Sequence, residues 1–449
     1  MISLLKEWLL RLFLFLFNTE EYLEYGKIKE KATNATQFRQ VAELQSLKYE
    51  GWKCDNESTD YDYRLIYDRH QSLYAARKSG DIANIMFLLR TSLNRHIGDI
   101  HNPVLYEKCY GTKHLINAYI NEVMNCLDFI ILMPSIPHSV KQEFVYNCRN
   151  AYGRTALLLS GGGALNLHHI GVIKSLYEHH CLPRIMSGSS GGAIVAAYIA
   201  IHTDSEFQEM MTTGRFYLNL FEPVHTSWFI KLRRLFKTGF LFKADEFVNA
   251  LRRNYNELTF LEAYNRTGRI LNITVTSNSS FEMQSILNFA TAPNVMIWSA
   301  VACSCAVPGI LSSFTLMAKD KNGKQEPWIN GSSNTFIDGS FDNDLPMKRV
   351  SEMFNVNQFI VCQVNPHILP FLSRTMRKSR FRILCENLTN LIFKEVELRF
   401  MQINEFVPIP FIFVKLFCIL DQRYTGDVTI CPKITIADYL RVIRNPLPE

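Results

Sequence analysis

Three short motifs constrain the fold of this chain more than any other feature of its sequence. Ser160–Gly163 reads SGGG, Gly188–Gly192 reads GSSGG, and Asp338–Ser340 reads DGS. Each follows a short apolar run, so each is expected to lie where a core strand ends. Together they offer the parts that acyl transfer needs: backbone amides for an oxyanion, a serine nucleophile and a carboxylate base.

From Thr155 onwards, apolar runs alternate with helical stretches, as they do in an α/β sheet. The predicted core strands are Thr155–Leu159, Arg184–Met186, Ile270–Val275, Thr335–Ile337 and Gln358–Val364. The predicted helices between the first of these strands are Asn166–His179 and Gly191–Ile201. The second helix opens with small residues, which allow it to lie close against the sheet.

Residues 20–150 have a different pattern, which is helical, with few glycines and no alternating strands. One apolar face recurs through Ile82, Ile85, Leu88, Leu89 and Leu93, and another through Leu115, Ile116, Tyr119, Ile120 and Val123. We therefore predict four parts. These are an amphipathic interfacial helix over 1–19, a helical N-terminal domain over 20–150, a catalytic domain over 151–366 and a basic, apolar C-terminal extension over 367–449.

The segment Met1–Phe17 is the clearest candidate for membrane contact. Its apolar residues recur at helical spacing, but its uncharged run extends only from Leu12 to Phe17, well short of the roughly 20 residues that span a bilayer. The pattern favours a helix in the headgroup plane over one packed on the protein body. The basic cluster Arg374–Arg382 and the aromatic stretch Phe406–Leu420 are a second interfacial contact or a solvated surface.

Composition argues against a disordered chain and against a nucleic-acid-binding protein. Hydrophobic residues make up 47% of the chain and charged residues 20%, which is typical of a globular protein. The net charge of +6 and the pI of about 8.6 favour anionic surfaces but are too weak to predict a nucleic-acid partner. The 11 cysteines form no C-x-x-C pair, so we expect reduced, buried thiols.

Ser190 is the candidate nucleophile. A serine hydroxyl becomes reactive when a tight strand-to-helix turn exposes it and aims a helix N-terminus at it. Gly188 and Gly192 form the nucleophile elbow, because they permit such a crowded turn around Ser190. The alternative is a chance G-x-S-x-G in a glycine-rich turn.

The run Gly161, Gly162 and Gly163 leaves a predicted strand and enters a predicted helix, so its N–H groups can converge on an anion. That anion is a phosphate or the oxyanion of a tetrahedral intermediate. Asn166 stands where a dinucleotide fingerprint needs its last glycine, and no P-loop Lys-Ser/Thr follows. An oxyanion hole is therefore favoured.

Asp338 is the candidate base, since it follows an apolar run and precedes Gly339. No histidine has a comparable setting, and His168 and His169 are expected to have packing or helix-surface roles. Asp342 and Asp344 lie nearby, but their spacing to Asp338 matches no common metal loop. We therefore predict no metal and no organic cofactor.

These residues resemble the patatin-like lipases, which use a Ser–Asp dyad, and in particular the branch of yeast-type lipid-droplet triacylglycerol lipases. The resemblance covers roughly residue 30 to the end. Beyond the three motifs, the similar segments are Leu105–Tyr106 through Gly111–Lys113, Thr259–Tyr264, Thr267–Arg269, Pro293–Ala300, Asp338–Pro346 and Gln422–Asp427.

The resemblance implies a patatin-like sheet flanked by helices, with Ser190 as nucleophile, Asp338 as base and Gly161–Gly163 as the oxyanion hole. Leu165 and Asn166 depart from the Arg or Lys and the Gly that patatin-like proteins often carry; Asn tolerates positive φ better than other non-glycine residues. The expected function is lipid acyl hydrolysis through an acyl-enzyme. Triacylglycerol is the first-choice substrate and phospholipid or lysophospholipid the alternative, at the cytosolic face of a lipid droplet or the endoplasmic reticulum membrane. Two other readings stay open, a decayed lipid-surface binding or regulatory protein and a soluble esterase.

Overall fold

A computed structural model describes residues 60–102, 105, 113–213, 228–277, 285–307, 309–328, 335–339, 344–366, 368–369 and 424–432, with five further helical positions between 391 and 402. The chain divides into two compact units, Met1–Gly153 and Arg154–Glu449. The predicted membrane segment Met1–Phe17, the basic cluster Arg374–Arg382 and the aromatic stretch Phe406–Leu420 lie outside the described residues.

The N-terminal unit is helical, as its apolar periodicity predicts. Its helices are α1 (Tyr63–Ser79), α2 (Ile82–Ser92), α3 (His114–Leu132) and α4 (His138–Tyr152). Asp62 and Asp81 begin α1 and α2 by accepting backbone N–H groups from Leu65 and Asn84 at 3.1 and 3.0 Å, which are N-cap bonds. The inward faces of these helices form a separate core.

Helix α3 is the one helix in the described part of the chain whose length and composition would allow it to cross a membrane. Its Ile116, Tyr119 and Val123 are buried in the core of the N-terminal unit. Its buried Glu122 accepts a bidentate pair from Arg77 of α1, at 2.6 and 3.1 Å. These contacts pack one face of α3 against the N-terminal unit, whereas Met124, Ile131 and Leu132 on the rest of the helix are exposed.

The second unit is an α/β sheet with flanking helices. Its strands are β1 (Arg154–Leu159), β2 (Ile185–Gly188), β3 (Ile270–Ser277), β4 (Ser285–Leu287), β5 (Met317–Lys319), β6 (Gln325–Pro327), β7 (Phe336–Asp338), β8 (Val356–Cys362) and β9 (Val428–Ile430). Its helices are α5 (Leu167–Glu178), α6 (Gly191–Ile201), α7 (Asp204–Thr213), α8 (Trp228–Thr238), α9 (Ala244–Tyr255), α10 (Phe260–Thr267), α11 (Ile297–Ser304) and α12 (Met347–Phe354).

Seven strands form the main sheet, in the order β4-β3-β2-β1-β8-β9, with β7 also paired to β3. The strands from β3 to β9 in this order run parallel, whereas β4 and β7 run antiparallel to β3. The last four residues of β1 are buried, since a parallel strand is covered on both faces. The predicted C-terminal extension, residues 367–449, thus contributes strand β9 to the catalytic sheet.

Helix α6 lies in the centre of the core, and all of its residues are buried. It is apolar on every side, which is typical of a helix surrounded by protein. Its C-terminal carbonyls at Ile199 and His202 accept hydrogen bonds from the guanidinium of Arg269, at 2.6 and 2.8 Å. These bonds fix the end of the helix that begins at the elbow.

Candidate active site

Ser190 lies on the sharp turn between β2 and α6 and has φ 50° and ψ −124°. Such a backbone conformation is unusual for a non-glycine residue. Two neighbouring glycines make the turn possible. A Cβ on Gly188 would lie 2.5 Å from the Gly192 carbonyl oxygen, and one on Gly192 would overlap the Leu159 carbonyl oxygen. The elbow therefore has no room for side chains at either predicted glycine.

The glycine loop follows β1 and passes beside Ser190. A Cβ on Gly161 would lie 3.2 Å from the Ser190 Cβ, and one on Gly162 would lie 2.7 Å from the Val364 carbonyl oxygen. Gly163 has φ +58°, a conformation that glycine adopts without steric cost. The loop is thus held between the elbow and the segment that follows β8.

Strand order explains why these motifs meet. Leu159 at the end of β1 pairs in register with Gly188 of β2 on one side and with Cys362 of β8 on the other. Because parallel strands end at the same edge of a sheet, the loops that follow them are neighbours. The Ser189 amide donates to the Leu159 carbonyl at 3.3 Å, which joins the elbow directly to β1.

Asp338 reaches the same edge from the antiparallel strand β7, where it pairs with Val275 of β3, and it is fully buried. Its amide donates to the Ala306 carbonyl at 3.2 Å, and the Ser190 amide donates to Ser304 Oγ at 3.0 Å. The end of α11 therefore anchors both predicted members of the dyad at positions two residues apart. Burial, and next the nearby charge of Asp338, raise the pKa of the Cys305 thiol between these anchors.

Asp344 has contacts in the site that the sequence does not predict, since its spacing to Asp338 bears only on metal binding. Its buried carboxylate accepts hydrogen bonds from the Gly161 amide at 3.0 Å, from the Ser189 hydroxyl and from Asn365 Nδ2 at 2.6 Å. Burial raises the pKa of the carboxyl, and the hydrogen bonds from Ser189, Gly161 and Asn365 oppose that shift. An acid six residues after Asp338 and three residues before helix α12 gives no local signal of such partners.

Comparison with known proteins places this geometry in a family. The family model described as "Patatin-like phospholipase" matches residues 157–350. The model of a domain of unknown function, DUF3336, matches residues 19–150. Triacylglycerol lipase ptl3 of Schizosaccharomyces pombe is 35% identical over 435 residues, which cover 95% of this chain and 89% of that protein. The chain belongs to the patatin-like phospholipase family. The predicted resemblance and the predicted fold class are therefore confirmed.

Two further relatives of this patatin-like protein have related names. Triacylglycerol lipase 4 of Saccharomyces cerevisiae is 38% identical and covers 89% of this chain, and triacylglycerol lipase SDP1L of Arabidopsis thaliana is 37% identical and covers 87%. The chain spans about half the length of these two relatives, 46% and 50%. VipD from Legionella pneumophila, a solved structure, covers 56% of the chain and 55% of its own at 15% identity and a TM-score of 0.30.

The two departures from the family pattern leave the glycine loop intact. Asn166 has φ −57°, so the expectation that its tolerance of positive φ would matter is wrong. The residue is an ordinary right-handed one, and its Nδ2 donates to the Gly191 carbonyl at 3.1 Å. Leu165 is buried, and its amide donates to the Gly162 carbonyl at 3.1 Å. Both positions support the loop.

His169 has the packing role that the sequence predicts. It is buried, and its Nε2 hydrogen-bonds the Ser160 carbonyl at 3.0 Å. Burial lowers the pKa of its imidazole to about 4, so the ring is neutral and donates this bond. His168, its neighbour, is exposed. The histidine thus supports the backbone that leads into the glycine loop of this patatin-like protein.

The C-terminal segment Tyr424–Asp427 also belongs to the site region. Asp427 accepts the Phe359 amide at 2.7 Å, and a Cβ on Gly426 would lie 2.7 Å from the Phe359 carbonyl oxygen. Burial, and next the charge of Asp344, raise the pKa of the buried Tyr424 hydroxyl. This segment, which carries part of the family resemblance, therefore lies against β8 and close to Asp344. Within the described residues, no group of three or more His, Cys, Asp or Glu side chains is arranged to bind a metal ion.

Proposed function

We propose that this chain is a lipid acyl hydrolase that uses Ser190 and Asp338 as a catalytic dyad. One observation carries the proposal. Ser190 has a positive φ in the elbow, and its backbone amide donates to Ser304 Oγ. The carbonyl of Ala306, two residues after Ser304, accepts the backbone amide of Asp338. A strained serine at the N-terminus of a buried helix is typical of an acyl-transfer nucleophile.

In the proposed mechanism, the Ser190 hydroxyl attacks an ester carbonyl while Asp338 accepts its proton. Amides of the glycine loop stabilise the oxyanion of the tetrahedral intermediate. Collapse releases the alcohol, which takes the proton from Asp338, and leaves an acyl group on Ser190. Water, activated by the same carboxylate, then releases the fatty acid and restores the serine.

Triacylglycerol is the first-choice substrate, because the three relatives described above are named triacylglycerol lipases. Phospholipid or lysophospholipid is the alternative, since the matching family description is a phospholipase. A decayed lipid-surface binding or regulatory protein is the second alternative, and Asn166 is the sequence feature that favours it.

Incubation of purified protein with emulsified triolein and with phosphatidylcholine vesicles tests this function. We expect fatty acid release by the wild type, faster from triolein, and none above background from Ser190→Ala. The control is Ser205→Ala, an exposed serine in the first turn of α7. Equal release by the wild type and Ser190→Ala would contradict the proposed nucleophile, and faster release from phosphatidylcholine would make phospholipid the substrate.

We also propose that the protein acts at a lipid surface, on the cytosolic face of a droplet or of the endoplasmic reticulum. Helix α8 supports this location, because exposed Ile230 and Phe236 lie on one face with exposed Arg233 and Lys237. Apolar side chains among cations are typical of an interfacial helix. The backbone amides of Leu241 and Phe242, just after α8, both donate to the Ile310 carbonyl, at 3.2 and 3.1 Å. Ile310 lies in the segment that follows Ser304, so these bonds join the end of α8 to that segment.

Vesicle flotation tests this location. Each basic residue near an anionic surface contributes on the order of 1 kcal/mol, so the double variant Arg233→Gln/Lys237→Gln should bind phosphatidylserine vesicles roughly 30-fold more weakly. Arg349→Gln/Lys348→Gln, which removes the same charge from α12, is the matched control. Equal loss in both pairs, or no loss in the α8 pair, would contradict the proposal.

A further inference from the structure

One buried carboxylate joins the loops that follow three neighbouring strands. Asp344 is 2% exposed, and it binds Gly161 after β1, Ser189 after β2 and Asn365 after β8. Oδ1 accepts the Gly161 amide and the Ser189 hydroxyl, whereas Oδ2 accepts Asn365 Nδ2. Asp344 is not a member of the proposed dyad, and its three bonds give it a place in the site that Ser190 and Asp338 do not fill.

The partners of Asp344 are placed where small displacements would affect catalysis. Ser189 is the residue before the nucleophile, and a Cβ on Gly161 would lie 3.2 Å from the Ser190 Cβ. The distance between the glycine loop and the elbow is therefore set by an acid that bonds to both Gly161 and Ser189. A misplacement of about 1 Å in such a geometry costs roughly 100-fold in rate.

The Gly161 amide is engaged at 3.0 Å with a carboxylate, so it is withheld from the substrate. The amides of Gly162 and Gly163 donate to no acceptor in the part of the chain that the structure describes. Those two N–H groups are thus available to an incoming carbonyl oxygen.

We propose that Asp344 is a positioning residue that aligns the glycine loop with the nucleophile elbow and leaves Gly162 and Gly163 as the oxyanion donors. This inference rests on the proposed function of the same site. An ionised carboxylate is acceptor-only, which fits three donors at once. An amide at position 344 would keep Oδ1 for Gly161 and Ser189, but it would turn an NH₂ group toward the NH₂ of Asn365.

This conflict makes a reciprocal exchange the sharpest test. In Asp344→Asn/Asn365→Asp, the new amide accepts from Gly161 and Ser189 through its oxygen and donates to the new carboxylate at 365. The exchange therefore restores all three hydrogen bonds, whereas each single variant breaks one. The two residues are in contact, so a double-mutant cycle measures their coupling.

The experiment measures kcat and KM with p-nitrophenyl butyrate for the wild type, both single variants and the double variant, together with circular dichroism and thermal melting. Asp344→Asn and Asn365→Asp should each lower kcat roughly 30- to 1000-fold with KM nearly unchanged, because oxyanion alignment acts in the transition state. The double variant should recover to within about tenfold of the wild type. Asp245→Asn, an exposed acid on α9, controls for loss of charge.

Wild-type kcat in Asp344→Asn overturns the inference, as does a folded double variant that is as slow as the singles. Ser189→Ala is a milder second variant, because it removes one hydrogen bond and no charge. We expect a roughly tenfold lower kcat from it, and an unchanged kcat overturns the inference even where Asp344→Asn does not fold. Labelling of Ser190 by a fluorophosphonate separates the two proposals: an unlabelled wild type contradicts the nucleophile itself, independently of Asp344.

Discussion

At the scale of single residues, the backbone of Ser190 is the costliest feature of the site. A non-glycine residue in such a conformation stores on the order of 1–3 kcal/mol of strain, and Ser190 has φ 50°. The hydrogen bond from the Ser190 amide to Ser304 stabilises this strained conformation. Gly188 and Gly192 allow the backbone to pack closely around it, since neither has room for a side chain. We therefore expect the proposed catalysis to depend on Gly188, Gly192 and Ser304, which hold the turn in this conformation.

Gly192 offers a direct test of this dependence. A methyl group in Gly192→Ala would overlap the Leu159 and Ser160 carbonyls, so we expect loss of hydrolysis and a lower melting temperature. Gly171→Ala is the matched control, because Gly171 lies in α5 with nothing within 4 Å of its Cβ position. The control should keep full activity and gain about 0.5–1 kcal/mol of stability. Normal activity in Gly192→Ala would contradict the account of the elbow.

We predict that the stability of the folded protein depends on pH through His169. Its pKa is about 4 in the folded protein and about 6.5 when unfolded, so the unfolded chain binds more protons between these values. Stability from this residue is complete above about pH 6.5 and is lost as the pH falls toward 4, by roughly 3 kcal/mol in all. The melting temperature of the wild type should therefore fall more steeply from pH 6.5 to 4.5 than that of His169→Gln. Parallel curves for the two proteins would contradict a buried neutral ring.

At the scale of elements, helix α11 connects the proposed nucleophile to the proposed base. Ser304 at its C-terminal end accepts the Ser190 amide, and Ala306 just beyond it accepts the Asp338 amide. The sequence shows no such link, because these contacts span 114 residues in the first case. A change in this helix is expected to act on the dyad through the backbone.

Ser304→Ala tests that connection. Leaving a buried amide without its acceptor costs about 1–3 kcal/mol, so kcat should fall roughly 5- to 150-fold with KM nearly unchanged. Ser299→Ala in the same helix is the control, since its hydroxyl bonds to the Met296 carbonyl at 2.8 Å and accepts the Met317 amide at 3.0 Å. It should lower the melting temperature and preserve kcat per folded molecule. Equal effects on kcat in both variants would contradict a specific role of Ser304.

Elements with strong local patterns were predictable from the sequence. Helix α6 has the predicted bounds, Gly191–Ile201, and β1 and β3 lie within two residues of theirs. The short strands β4 and β9 were not predicted, because three residues at the sheet edge carry too weak a pattern, and their pairing is not local. Ile120 was assigned to an apolar face of α3, but it is 46% exposed, since that face is narrower than the run of apolar residues.

The candidate site was predictable only where chemistry follows a local motif. Ser190, the glycine loop and Asp338 each sit on a turn that its own sequence marks. The bonds of Asp344 to Gly161 and Ser189 were not predictable, because they join positions 183 and 155 residues apart. Such contacts arise from strand order, which a single sequence does not show.

At the scale of the whole molecule, cysteine burial separates the described thiols into two groups. Cys126, Cys148, Cys303, Cys305 and Cys362 are buried, whereas Cys181 and Cys431 are exposed. Burial raises the pKa of Cys126 and Cys362 to about 12, which suppresses the thiolate that reacts with alkylating reagents.

Alkylation with iodoacetamide at pH 8, read by peptide mass spectrometry, measures this difference. We expect modification of Cys181 in the native protein and of the five buried cysteines only after denaturation. The rate at Cys181 in denaturant is the control for intrinsic reactivity. Alkylation of Cys303 or Cys305 in the native state at the rate of Cys181 would contradict the packing of α11 behind the dyad.

The central claim is that acyl transfer passes through Ser190 with Asp338 as its base, and the most direct measurement is the rate of acyl-enzyme formation. Rapid mixing with p-nitrophenyl butyrate, acid quench and peptide mass spectrometry should find a butyryl group on Ser190 in the wild type. The Asp338→Asn variant should form it roughly 100- to 10,000-fold more slowly, with unchanged circular dichroism. A butyryl group on another residue, or wild-type acylation in Asp338→Asn, would contradict the dyad.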